Sequence, residues 1–252
     1  MEKIAAGAVE VPNPFNKTVY TVPLKPETTA AIVFWSKNYH PFLPKLNLLE
    51  KQGFDKFVFN FTITGLPNVF EPNIPPAEKT IEDFKYLSLR YWKGYVFWRF
   101  DPIIFTDITD EQYYLDSFRR IADEIAPFTQ RCIISFAFFY EKVKKSLRNL
   151  QTEKNLLCYD AEVERKRALA VRLAMLALEY KLKLHSCCCE YLEDLSGIKK
   201  SRCIDGQLIS DMWSGKLRFA LKPSREGCGC AEAADIGSYG TCKGGCVYCY
   251  AK

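Results

Sequence analysis

Long apolar runs are missing from this 252-residue chain. No stretch of eighteen uncharged apolar residues occurs, so no membrane-spanning helix and no membrane partner are expected. The N-terminal segment carries Glu2, Lys3, Glu10, Pro12 and Pro14, without the apolar core of a secretory signal. A Walker loop and a dinucleotide-type glycine fingerprint are both absent, which removes two common nucleotide-binding classes. Repeats and low-complexity tracts are absent as well. Histidine is scarce: His40 and His185 are the only two. His185 stands beside a run of cysteines, where it suits either a ligand or an ordinary semi-buried histidine. An excess of one charge is also lacking. With 35 Lys and Arg against 30 Asp and Glu, the net charge is +5, too mild to argue by itself for a nucleic-acid partner.

What is present is an ordinary globular composition, 48% hydrophobic and 26% charged, enough for one large domain or two small ones. The unusual feature is 11 cysteines. Cys132 and Cys158 stand apart, and the other nine fall between Cys187 and Cys249. Disulfide frameworks belong to small secreted domains. A larger chain without a signal is expected in the cytoplasm, where clustered thiols point to metal.

Residues 1–186 read as alternating strands and helices. Branched and aromatic runs at 31–35, 56–64, 94–100 and 131–136, with a weaker one at 181–185, suit strands of a mostly buried sheet. Gly65 stops the second and Asp101-Pro102 the third. Helical spacing appears at Tyr114, Phe118, Ile121 and Ile125, preceded by Thr109 and Gln112 at capping-box spacing. Further helices are expected over 161–180, 41–51 and 79–91. Strands followed repeatedly by helices predict an α/β fold with parallel strands. The first choice is a partial (β/α) TIM-like barrel, and the second an open doubly wound sheet. The proline-rich loop 66–76 follows a strand, on the side where such folds place their sites; a rigid crossover is the plainer reading. From 187 to 252 periodicity fades and Gly and Cys accumulate. This segment is expected to pack on the core as an iron–sulfur tail.

Close to the C-terminal end stands Cys242-Lys-Gly-Gly-Cys246-Val-Tyr248-Cys249, spaced C-x3-C-x2-C. Three thiolates in one loop suit three irons of a [4Fe–4S] cluster, leaving the fourth iron open. Gly244 and Gly245 let the backbone wrap closely. The same thiols with Cys228 and Cys230 also suit a zinc knuckle. Upstream, one cysteine of the run 187–189 with Cys203, Cys228 and Cys230 makes four ligands. That is a closed set for structural zinc or a second cluster. Cys132, inside a strand, is expected to be a small buried residue.

The loop spacing, with Tyr248 before the last cysteine, resembles the radical S-adenosylmethionine (SAM) signature. That resemblance implies SAM bound at the open iron and cleaved to a 5′-deoxyadenosyl radical. The whole sequence resembles a mostly prokaryotic family, domain of unknown function 1848. The matching pieces are Asn13-Pro-Phe-Asn16, Phe34-Trp-Ser-Lys-Asn38, Phe61 to Gly65, Trp98-Arg-Phe-Asp-Pro102, Cys132 to Phe136, Gly197-Ile, Cys203-Ile-Asp205, Cys228-Gly-Cys230, Asp235-Ile-Gly237 and Thr241 to Ala251. The family's single Cys before Glu is matched by Cys188, which the resemblance selects from the run. The terminal motif also resembles that of spore photoproduct lyase, a DNA-repair radical SAM enzyme. Members of the family begin with an extra strand and helix, so the expected barrel lacks its first βα unit. Radical SAM enzymes carry the motif after the first strand; here it comes last, which implies a permuted order. The Gly-Gly-Glu stretch that commonly holds the SAM amine is absent.

Strand ends supply the remaining candidates for cofactor binding. These are Lys37 and Asn38, Thr62 and Thr64, and Arg99 and Asp101, with Tyr248 in the loop. Ser135 and Glu190 stand at the later strand ends. Alternation places Thr62 with Thr64, and Arg99 with Asp101, on one face. Arg99 suits the SAM carboxylate, although such Arg–Asp pairs also serve structure. Three functions compete. The first is a radical SAM-type enzyme fed by an electron donor such as a ferredoxin or flavodoxin. The second is a non-catalytic iron–sulfur electron-transfer or redox protein. The third is a zinc module, with nucleic acid as a candidate partner through Lys142, Lys144, Lys145 and Arg148, a face that also suits plain solvation.

Overall fold

The computed structural model describes residues 6–12, 18–223, 227–238 and 240–249. The motif pieces at 13–16 and 250–251 lie outside them. A hairpin opens the described chain, β1 (Ala8–Pro12) antiparallel to β2 (Val19–Pro23). A six-stranded sheet follows. Its strands are β3 (Ile32–Ser36), β4 (Phe57–Thr62), β5 (Val96–Ile103), β7 (Arg131–Phe136), β9 (Lys183–Ser186) and β10 (Ile198–Lys200). They lie side by side in chain order and every pairing is parallel. The short β6 (Phe105–Thr106) and β8 (Cys158–Tyr159) pair separately.

The helices between them are α1 (Leu43–Lys51), α2 (Ala77–Tyr91), α3 (Glu111–Ile125), α4 (Glu141–Lys154) and α5 (Val163–Glu179), with α6 (Gly206–Met212) after β10. Parallel strands in unbroken chain order, joined by right-handed crossovers, put their helices on one face. The core agrees. Phe57, Phe59 and Phe61 of β4, with Trp98 and Phe100 of β5, pack with Leu46 of α1, Phe84 of α2, Phe118 of α3 and Leu173 of α5. The intervening residues Val58, Phe97 and Ile133 form a separate cluster with Cys187, Cys203 and Cys230. Ile204, and Leu208 and Met212 of α6, pack against it. The tail therefore covers the face that the other helices leave bare.

The expected α/β class with a large parallel sheet is what the chain adopts; β3 and β10 stand at opposite edges, so the sheet is not closed. The doubly wound alternative fails, because no strand order reverses. The tail also contributes the sixth strand.

Local differences have simple causes. β5 runs through Pro102 to Ile103, with its register to β7 shifting between Phe100 and Ile103. Such an irregularity accommodates a residue with no N–H for the ladder. The cap of α3 is Asp110, whose carboxylate accepts from Tyr113 N at 2.8 Å. Thr109 instead donates to the Ile104 carbonyl at 2.8 Å. No helix among the described residues is long and apolar enough to cross a membrane.

Candidate functional site

Parallel strands present their C-terminal ends together, and β3 and β4 deliver Lys37, Thr62 and Thr64 there. These three, with Glu71, Pro72, Ile74, Pro76 and Arg120, line a cavity of about 430 Å³. Lys37 Nζ lies 3.0 Å from Glu71 Oε1. The pairing is by charge: Nζ is buried, with no acceptor in hydrogen-bonding geometry. Glu71 is satisfied elsewhere. Its Oε1 accepts from Thr64 Oγ1 at 2.9 Å and from the Tyr248 hydroxyl. Burial, then the neighbouring Glu71 charge, raises the Tyr248 phenol well above its ordinary range. Asn38 plays a local part instead, its side chain accepting from His40 N at 3.1 Å as the chain turns into α1.

Against this cavity docks the terminal cysteine loop. Val247 N donates to the Phe70 carbonyl at 3.0 Å, and Asn73 donates through N to Gly244 O and through Nδ2 to Lys243 O. The proline-rich loop 66–76 is thus the seat of the cysteine motif. Cys242 is exposed, Cys249 half-buried and Cys246 buried. Tyr248 also bonds Cys246, so a polar chain runs Cys246–Tyr248–Glu71–Lys37. Burial pushes the Cys246 thiol up, and Lys37 opposes that. A Cβ placed on Gly244 would sit 3.4 Å from Cys242 Sγ and 3.8 Å from Cys246 Sγ. It would also meet Ile74 Cδ1 at 2.9 Å, so the bare glycine is what lets the loop seat against Ile74, and the loop's thiols are of the kind that iron–sulfur clusters use as donors. As the side chains stand, no three His, Cys, Asp or Glu donors among the described residues form a group that could hold a metal ion.

The second cysteine set lies on the other side of the sheet's C-terminal half. Cys187 continues the parity of β9, its N–H bonding Ile134 O at 2.9 Å. Its sulfur is 3.7 Å from Cys203 Sγ and 3.8 Å from Cys188 Sγ. Cys203 contacts Cys230 as well, and Cys230 contacts Cys228. The buried Asn60 amide holds the Cys203 carbonyl at 3.2 Å. Arg99 spends its guanidinium here. Nε and Nη2 donate to Asp101 at 3.0 and 2.5 Å, and Nη1 to Cys203 Sγ at 2.6 Å. Ser135 Oγ donates to Asp101 Oδ2 at 3.0 Å. Hydrogen bonding from Cys203, with a further bond from Ile204 N, draws the Cys230 thiol down to about 6, while hydrogen bonds with Cys187 and Cys230, then burial, raise Cys203.

Two residues escaped the sequence reading. Glu71 sits in the loop already singled out, as a carboxylate among prolines. Cys187, with its sulfur 3.7 Å from Cys203 Sγ, joins the group beside the resemblance-selected Cys188; strand parity extended from His185 would have found it. Cys132 is buried in β7 against the helices, as its position implied. Cys189 turns to the helix side. Lys142, Lys144, Lys145 and Arg148 lie exposed on α4.

Parallel α/β architecture with cysteine-rich elements packed on both the sheet face and the strand ends defines a thiol-rich α/β protein. The chain belongs to the family described as Domain of unknown function (DUF1848), which it matches over residues 1–251. No curated protein matches it.

Proposed function

We propose that this chain is an iron–sulfur protein of the radical SAM type, acting on a substrate whose identity its sequence does not name. The observation that carries the reading is the docking of the Cys242–Cys249 loop beside the cavity lined by Lys37, Thr62, Thr64 and Glu71. When bound through Cys242, Cys246 and Cys249, a [4Fe–4S] cluster would supply an open iron and an electron for SAM cleavage.

The chain's own groups have definite parts. Lys37 offers ammonium protons with no acceptor to a carboxylate such as that of SAM. Thr62 and the cavity's apolar prolines suit hydroxyl and adenine contacts. Glu71 holds Lys37 and Tyr248 in place. Loop 66–76 forms one wall of the cavity. The position of the motif supports a permuted order: last in the chain, it lies beside the ends of β3 and β4, the first strands of the sheet. A cytoplasmic setting and a ferredoxin- or flavodoxin-like electron donor complete the reading.

The test is anaerobic reconstitution with iron and sulfide, followed by SAM and dithionite. A cluster spectrum that shifts on SAM addition, with 5′-deoxyadenosine formed, supports the proposal; Cys246→Ala should abolish both. A loaded protein that does neither is an electron carrier instead, a role the exposure of Cys242 favours.

A further inference from the structure

The face of the sheet that the tail covers carries a chain of touching sulfurs. Cys188 Sγ is 3.8 Å from Cys187 Sγ, which is 3.7 Å from Cys203 Sγ. Cys203 contacts Cys230, and Cys230 contacts Cys228. Sulfurs at such distances touch without being bonded, since a disulfide bond is about 2.05 Å long. Neighbouring thiols have a chemistry that needs no other group of the protein, which is exchange with a disulfide.

Cys203 and Cys230 are the pair that the backbone itself holds. Ala231 N donates to Ile204 O at 3.0 Å, so one bond joins the residues that follow the two cysteines. Ile204 N donates to Cys230 Sγ at 3.4 Å. On its other side the segment at 228–231 is tied by Lys222 N to Cys230 O at 3.0 Å and by Glu232 N to Ala220 O at 2.8 Å. Asn60 Nδ2 donates to the Cys203 carbonyl at 3.2 Å. With both backbones anchored, the two sulfurs close by side-chain rotation, as a disulfide requires. Donors for the developing charges are in place as well. Arg99 Nη1 donates to Cys203 Sγ at 2.6 Å, and Asp101 fixes the rest of that guanidinium. Val58, Phe97 and Ile133 wall the sulfurs from the sheet side. Gly227, Cys228 and Gly229, which lead into Cys230, are only half-buried, so a small reagent approaches from there.

We infer that Cys203 and Cys230 form a redox-active dithiol, a modification site that reduces a low-molecular-weight disulfide and in doing so links the tail to itself. The Cys230 thiolate attacks one sulfur of the reagent RSSR, forming Cys230–S–S–R and releasing RS⁻. Cys203 gives up its proton to that RS⁻, and its sulfur attacks Cys230 Sγ and expels the second RS⁻, which takes the proton that Cys230 lost. Two protein thiols are thereby oxidised to one disulfide, and RSSR is reduced to two RSH. The link joins the turn before α6 to the segment at 228–231. In a reducing setting such a disulfide is transient. The site is independent of the loop at 242–249 and of the radical reading.

The experiment uses the full chain, purified anaerobically in dithiothreitol, freed of that reductant and titrated with oxidised glutathione at neutral pH. Mass spectrometry after quenching with N-ethylmaleimide should show two hydrogens lost at Cys203 and Cys230, with the sulfurs assigned by fragmenting the linked peptides. Dithiothreitol should return both thiols. Cys203→Ser should trap a glutathione adduct on Cys230. Cys230→Ser should lower linkage of Cys203 at least tenfold, and Cys188→Ser should retain the link. Where a variant does not fold, the map of the unsubstituted chain decides alone. Cys203 and Cys230 still reduced at a glutathione ratio that oxidises the urea-unfolded chain would overturn the inference. So would a link from Cys203 to Cys187, or from Cys228 to Cys230, in place of the assigned one.

Discussion

The Lys37 ammonium lies 3.0 Å from the Glu71 carboxylate, and both side chains are largely buried. The pair joins the first strand of the sheet to the loop on which the terminal cysteines sit. A buried pair broken on one side leaves a charge without compensation.

Glu71→Gln should therefore lower unfolding stability by about 3 kcal/mol. Replacing both partners, as in Lys37→Met with Glu71→Gln, should cost less than the two single changes added together. Urea unfolding of the four proteins measures the coupling; strict additivity would show that the two side chains do not interact.

Gly245 has φ +71°, and a Cβ there would press on Asn73 Nδ2 at 3.0 Å and Pro72 Cγ at 3.2 Å. Gly245→Ala should cost about 1–2 kcal/mol of local strain. It should loosen the loop, so iron retention after anaerobic desalting should fall severalfold while far-ultraviolet circular dichroism stays the same. Full iron retention would mean that the loop's seat tolerates a side chain.

Thiol labelling should separate the cysteines by burial. Cys242 is exposed, whereas Cys132 is buried and its thiol is pushed up by burial. Mass spectrometry of the native, metal-free protein should find Cys242 alkylated early and Cys132 only in denaturant. Iron loading should protect Cys242. Equal labelling with and without iron would argue against Cys242 as a ligand.

Trp98 is wholly buried, and its Nε1 donates to the Ile63 carbonyl at 2.9 Å. Trp98→Phe should cost about 2 kcal/mol, since it strands that carbonyl. Trp98→Ala should cost about 3–5 kcal/mol through the cavity it adds. Chemical denaturation checks the order of the two.

Glu111 is held by Arg165, with Nη2 to Oε2 at 2.9 Å. Those hydrogen bonds keep its carboxyl below the ordinary value of 4.5. A folded-state pKa below the unfolded one adds stability that is complete above about pH 4.5 and disappears as pH falls through the folded value. Both side chains are partly exposed, so solvent screening limits the contribution to about 0.5–1 kcal/mol. Acid titration of stability should be correspondingly shallower in Glu111→Gln.

Much of this protein could be read along the chain. The runs at 56–64 and 131–136 are strands because alternate residues bury against helices on one side and against the tail on the other. The spacing of Tyr114, Phe118, Ile121 and Ile125 makes α3 because those positions share one helical face. The glycines and thiols of 242–249 marked that loop as a candidate because local spacing alone keeps its three cysteines in one short loop. Closure of the sheet could not be read that way. It depends on how the edge strands β3 and β10 meet other chain, and each strand's own pattern is the same in an open sheet as in a barrel. Nor could the sequence place Cys242–Cys249 beside Lys37 and Glu71, or set the Cys187 sulfur against Cys203. Those contacts join residues up to some two hundred positions apart. They exist only because parallel strands in chain order carry their helices to one face and leave the other for the tail.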